Sequence, residues 1–236
     1  MAESASAQLV EAFAELSQAL FAGSDADALL EHLVERATVV VEGCEFASVS
    51  VMGAGGRIHT PVATDPLAIE VDEFQYDTGE GPCVEATKDN APAIYGADVA
   101  HDQRWPAFGP GAAARGIGSL ISYKLAAEDT VGALNLYSRR TDAFDAADRE
   151  TAYLLALFAS VVLASTQART QATQLREALE SRDVIGQAKG ILMERERVTA
   201  DDAFDMLRRA SQHLNRKLRD LAEELAATGE EPPDLR

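Results

Sequence analysis

Two positive charges beside a strip of helix almost without side chains form the most chemically suggestive pattern in this 236-residue chain. At 100° per residue, the segment Arg182–Arg195 places Val184, Ile185, Ala188, Ile191 and Leu192 on one face. Arg182, Gly186, Lys189, Gly190 and Met193 run along its edge. Glycine inside a helix costs about 1 kcal/mol against alanine, so two glycines in five residues point to the close approach of another backbone. That backbone is a phosphate chain or a partner helix. Packing within the protein explains the glycines equally well and leaves Lys189 unexplained.

Further on, Ala203, Phe204, Leu207, Ala210 and Ser211 form a helical stripe, predicted to be buried, with Arg208 and Arg209 outside it. The spacing pairs Arg209 with Asp205 and turns Arg208 toward Arg216, which makes Arg208 the better ligand contact. Ser211 and the run Asn215-Arg216-Lys217 add hydroxyl, amide and cationic donors suited to phosphates and base edges. Asn215 is expected to cap a third helix, whose unpaired N–H groups would favour an anion. Phe204 is the one aromatic residue after Phe158. If it is buried, no base can stack on it and recognition rests on phosphates and shape.

In the first part of the chain, Cys83 closes the tight sequence Gly79-Glu80-Gly81-Pro82 and reads best as a small buried hydrophobe. Trp105 reads as a packing anchor, and His59 and His101 lack metal-ligand spacing. Two cysteines, Cys44 and Cys83, allow at most one disulfide. Neither nucleotide-binding nor hydrolase fingerprints occur.

The elements that must position these residues follow from periodicity. Residues 8–42 read as two helices with a break at Gly23, capped by Ser24 or Asp25. Strands are expected at 47–52, 57–63, 93–95, 119–125 and 131–138, the first two forming a hairpin with one buried face and the last two an antiparallel pair. No Gly or Pro interrupts 145–185. Heptads there run through Leu154, Leu157, Val161, Ala164, Ala168, Gln171, Leu175, Ala178, Arg182 and Ile185, a seam fit for a coiled-coil homodimer. The alternative is a helix packed on its own sheet to about residue 165, then a solvated linker. Three short helices are expected at 182–195, 200–212 and 215–227, the second capped by Thr199, with a disordered tail at 228–236.

The net charge is −18, of which −15 lies before residue 171 and −3 after it. Within 182–219, nine basic residues face six acidic ones, a local excess that can serve an anionic partner in an acidic protein. The longest apolar run, 152–164, is shorter than a bilayer span, and the first residues lack a signal-peptide pattern, so a cytoplasmic protein with no membrane partner is expected.

The stretches RDVIGQAKGILMER, TADDAFDMLRRAS and NRKLRDLAEEL resemble the ANTAR domain, a three-helix RNA-binding unit of bacterial transcription antiterminators. GEGPCVEA at 79–86, DQRWPAF at 102–108 and VGALNLYS at 131–138 resemble GAF sensor domains of the kind attached to ANTAR units in actinobacteria. The resemblance implies an α+β fold: an antiparallel GAF-like sheet with flanking helices over 1–165, a helical linker over 166–181 and a three-helix unit over 182–227. It implies binding to paired hairpins in leader RNA, holding off a terminator. Carried onto this chain, the RNA contacts are Arg182, Lys189, Gly190, Arg208, Ser211, Asn215, Arg216 and Lys217. A small-molecule signal of unknown identity would sit near Tyr76, Cys83, Trp105 and Tyr137. A catalytic role is not implied, and the cofactor is unknown. Two other readings stay open: a GAF-based redox enzyme resembling free methionine sulfoxide reductases, and a helical protein-interaction module without nucleic acid.

Overall fold

A computed structural model describes residues 2–53, 55–88, 92–127 and 130–230. The chain divides into two compact units, Met1–Gln167 and Ala168–Arg236.

The first unit is built on a five-stranded antiparallel sheet in the order β2-β1-β5-β4-β3. Its strands are β1 (Phe46–Met52), β2 (Ile58–Ala63), β3 (Ala93–Gly96), β4 (Ser119–Ala127) and β5 (Thr130–Ser138). The expected turn at Glu128-Asp129 lies outside the described residues. Helices α1 (Ala2–Phe21) and α2 (Ala26–Val40) precede the sheet, and the Asp25 carboxylate caps α2 by accepting from the Asp27 N–H at 3.2 Å. On one sheet face, Ala47, Val49, Ile121, Leu134 and Leu136 share a core with Leu16, Leu30 and Leu33. Ala152, Leu155, Ala159 and Val162 of the long helix α6 (Ala146–Glu196) complete it.

The opposite face is covered as well, by α3 (Pro66–Thr78), α4 (Pro82–Lys88) and α5 (Phe108–Ala114). Phe46, Leu120 and Tyr137 pack there with Val71, Trp105 and Phe108. The expected hairpin with one buried face is therefore corrected: Ser48 and Ser50, which alternate like solvent-facing residues, are both wholly buried. Sequence periodicity passes over α3 because its inward stripe is Ala68, Val71, Asp72 and Gln75, half of it polar. Its ends are nevertheless marked. Asp65 accepts from the Leu67 N–H at 2.8 Å, Pro66 opens the helix, and Gly79 closes it at φ 68°, a left-handed conformation that costs glycine nothing.

Helix α6 runs 51 residues without a break at Gly186 or Gly190, so the expected separate helix at 182–195 is instead the end of α6. Leu154, Leu157, Val161 and Leu175 of the heptad seam are 42–63% exposed. The helix also holds an 18-residue stretch of mean hydropathy 1.5, apolar enough by composition to cross a bilayer, which the count of uninterrupted apolar residues misses; 28% of it is buried in the protein.

In the second unit, α7 (Ala200–Leu214) and α8 (Leu218–Thr228) close a small core with the end of α6. Ala188 and Leu192 meet Ala203, Leu207, Ala210, Leu221, Ala222 and Leu225 there. Thr199 starts α7 with a reciprocal capping box, its hydroxyl 3.2 Å from the Asp202 N–H. Asn215 does not cap α8. It ends α7 in the left-handed region at φ 50°, and Lys217 stands at the start of α8 without a side-chain cap. A short polar side chain suits both places, and of the three residues between the helices Asn215 closes α7 while Lys217 opens α8. Gly229 ends α8, and of the expected tail only Thr228–Glu230 lie among the described residues.

Candidate functional site

The second unit presents its polar residues unevenly. Arg182 and Lys189 on α6 have no carboxylate partner among the described residues, and the Lys189 ammonium lies 5.8 Å from the centre of the Phe204 ring. Phe204 itself is 37% exposed, which corrects its expected burial: Ala203, Leu207 and Ala210 hold the core, and Phe204 sits past the edge of that stripe. Gly186 and Gly190 pack against nothing, since a Cβ at either would meet no atom within 4 Å. Tight packing inside the unit therefore does not explain them.

The expected ion pairing of α7 is reversed. Arg208 reaches the Asp205 carboxylate at 2.9 Å, while Arg209 donates to the Asp205 carbonyl at 3.3 Å. Arg216 pairs with Glu224 at 2.8 Å. Ser211 fixes the turn, its hydroxyl donating to the Arg216 carbonyl at 2.6 Å and its carbonyl accepting the Arg216 N–H at 3.1 Å. Lys217 is exposed. These pairs are exposed at both ends, where an ion pair is worth about 0–1 kcal/mol and a phosphate can displace the carboxylate.

In the first unit, a cavity of about 610 Å³ opens between β2, α3 and α4, lined by Arg57, His59, Thr60, Glu73, Tyr76 and Asp77 among others. Behind it lies a buried polar network that the sequence reading missed. Strand register brings Ser48, Asn135 and Ser122 side by side across β1, β5 and β4, and α3 lowers Asp72 onto them. The wholly buried Asp72 carboxylate accepts from Ser48 (2.6 Å), Thr60 (2.9 Å), Asn135 (3.1 Å), Gln75 (3.4 Å) and the Tyr137 hydroxyl. No cation touches it among the described residues. Burial pushes its carboxyl up to about 6 from 3.8, against the opposing pull of the Ser48, Tyr137 and Thr60 hydroxyls.

Three of the four residues expected at a ligand pocket meet here. Tyr76 lines the cavity, and its hydroxyl lies 2.8 Å from Thr60 and 2.7 Å from Ser50. The Cys83 thiol donates to Ser50 at 3.2 Å, and Tyr137 sits on Asp72. Trp105 is elsewhere, buried with Phe108, its indole N–H donating to Glu85 at 2.6 Å. The donors converge on two acceptors: Thr60 gives its proton to the Asp72 carboxylate, while Tyr76 and Cys83 both donate to the Ser50 hydroxyl oxygen.

Cys83 and Cys44 are free thiols, both buried and in different core clusters. Burial pushes the Cys83 thiol up to about 12, with the Asp72 charge adding to the effect, and raises Cys44 too. Neither has the lowered pKa of a catalytic thiol.

A family model described as a GAF domain matches residues 23–164, and one described as an ANTAR domain matches 173–225. A search of curated proteins finds no match. Among solved structures, the GAF domain from a phosphoenolpyruvate-protein phosphotransferase of Coxiella burnetii is similar with a TM-score of 0.54 at 14% identity, over 70% of this chain and 97% of that one. The phycoerythrobilin-bound GAF domain from a cyanobacterial phytochrome is similar with 0.50 at 9% identity, over 70% and 99%. The GAF domain region of a Geobacter sulfurreducens membrane protein gives 0.50 at 15% identity, over 59% and 93%. At such identities the likeness concerns the fold alone. The ANTAR domain is the RNA-binding module of antitermination and GAF a sensing domain, an architecture that supports a regulator. With 23–164 matched to the one model and 173–225 to the other, the chain belongs to the GAF domain family and carries an ANTAR domain after it.

Proposed function

We propose that this protein is a signal-responsive antitermination regulator that binds paired hairpins in nascent leader RNA and so prevents a terminator from forming. The observation that carries the reading is the ANTAR match over 173–225, on a unit whose Arg182 and Lys189 lack carboxylate partners among the described residues. Arg182, Lys189, Gly190 and Lys217 would meet phosphates directly. Arg208 and Arg216 would exchange exposed carboxylates for phosphate oxygens, and Ser211 and Asn215 would hold the turn that presents them. The 610 Å³ cavity beside Tyr76 would take the small-molecule signal. The exposed seam from Leu154 to Leu175 supports a homodimer through α6. We place the protein in the cytoplasm, where nascent transcripts are. Domain limits of 1–165, 166–181 and 182–227 fit this division of labour.

The test is binding of full-length protein to a stem-loop RNA pool as salt is varied. Lys189→Ala should weaken binding and flatten the slope of log affinity against log salt by about 1. Arg209→Ala should do much less. If the full-length protein, with and without cell extract as a source of signal, ignores hairpin RNA at low salt, the reading fails.

A further inference from the structure

Six residues of the second unit lie on or beside one helix edge, and the phosphate contacts assigned above use only some of them. Gly186, Gly190 and the 39% exposed Met193 follow one another at i, i+4 and i+7 on α6. Arg182 stands one turn before Gly186. Phe204 on α7 shows more than a third of its surface to solvent, outside the core that Leu207 and Ala210 share, and Lys189 reaches its ring. Neither helix-weakening glycine packs against another element, and Lys189, the residue before Gly190, stands at the side of an exposed aromatic ring.

We propose that the Phe204 ring is a stacking platform for one unpaired base of the RNA, and that the bare backbone at Gly186 and Gly190 lets the same strand lie against α6. This rests on the RNA-binding reading and adds to it. A loop base has a flat apolar face that matches the ring. The phosphates on either side of that base meet Lys189 and Arg182, two cations not paired with a carboxylate among the described residues. A protein helix would fill the glycine strip equally well, but it would need carboxylates placed to meet those cations, whereas an RNA strand carries a phosphate at every step. Recognition then has a base-stacking component at one loop position, in addition to phosphate contacts.

The experiment uses full-length protein and stem-loop RNAs selected by it from a pool with randomised loops. Phe204→Leu should weaken binding about 10- to 100-fold, the range found when a base loses its aromatic partner, without changing the salt slope. Phe204→Tyr should bind as the wild type does. On RNA with an abasic site at the stacked position, the penalty of Phe204→Leu should vanish. Gly190→Ala should raise the Tm, since alanine favours the helix and its Cβ meets nothing in the protein, yet weaken RNA binding. Should Phe204→Leu fail to fold, the abasic scan on wild-type protein decides, because one loop position must cost about tenfold and a 2-aminopurine there must be quenched on binding. Undiminished binding by Phe204→Leu, a penalty equal at every loop position, or Gly190→Ala binding as tightly as wild type each overturn the inference while leaving RNA binding intact. Selection of no RNA at all overturns the functional reading with it.

Discussion

Asp72 is a buried anion stabilised only by neutral donors, so replacing it with asparagine should change how the sensor unit responds to pH. Its carboxyl is raised from 3.8 to about 6, chiefly by burial, with Glu73, Tyr76, Tyr137 and Cys83 as titratable neighbours and no cation among the described residues. Between those two values the folded protein binds more protons than the unfolded chain. Stability from this group is therefore complete below about pH 4 and is lost as pH rises through 6. A shift of about two units corresponds to about 3 kcal/mol in full, and to about 2 kcal/mol between pH 4.5 and 7. In a domain of this size that is roughly 4–8 °C of Tm. Asp72→Asn removes the ionisation, so the stability difference between wild type and variant should drift by that amount across the window, in favour of the wild type at acid pH. Trp105 is the single tryptophan and is buried in the first unit, so its fluorescence reports the unfolding of that unit alone. Parallel wild-type and Asp72→Asn curves from pH 4.5 to 7 would refute the reasoning, and would mean that the five donors hold the carboxylate near its ordinary value.

Native protein should resist thiol reagents at pH 8, since Cys44 and Cys83 are buried and raised. Labelling at the rate of a free thiol would reopen the redox reading. Thr199→Ala should cost the second unit about 1 kcal/mol by removing the capping box, read by thermal circular dichroism. Seven residues inserted near Gln174 of α6 should preserve signal-dependent RNA binding better than four, which rotate the following helix by about 40°. Equal regulation by both variants, with the fold intact, would make α6 a tether.

Where the sequence was legible, local chemistry and tertiary packing agreed. Thr199 and Asp202 stand at capping-box spacing, and the Ala188, Leu192, Ala203 and Leu207 stripe is the core of the second unit. Where it was not, distant residues decided. Asn135 gathers Ser48, Ser50 and Asp72 across 63 to 87 residues of chain, and nothing local announces that meeting. A polar residue in the middle of the apolar run Val131–Tyr137 was the available signal. Phe204 lies one position from the core residue Ala203, and periodicity resolves the edge of a stripe less well than its centre. Asn215 stands at the end of α7 and not at the start of α8, although its short polar side chain suits both positions.

The convergence of donors on Ser50 sets the sequence in which evolution can dismantle the network. A change that deletes Cys83 removes one donor and leaves no proton without an acceptor. Starting instead at Ser50 takes the acceptor from Tyr76 and Cys83 together, a loss of about 1–3 kcal/mol for each group left unsatisfied. Related sensor domains should therefore be found with Cys83 replaced while Ser50 and Tyr76 persist, and rarely with Ser50 replaced while Cys83 and Tyr76 remain.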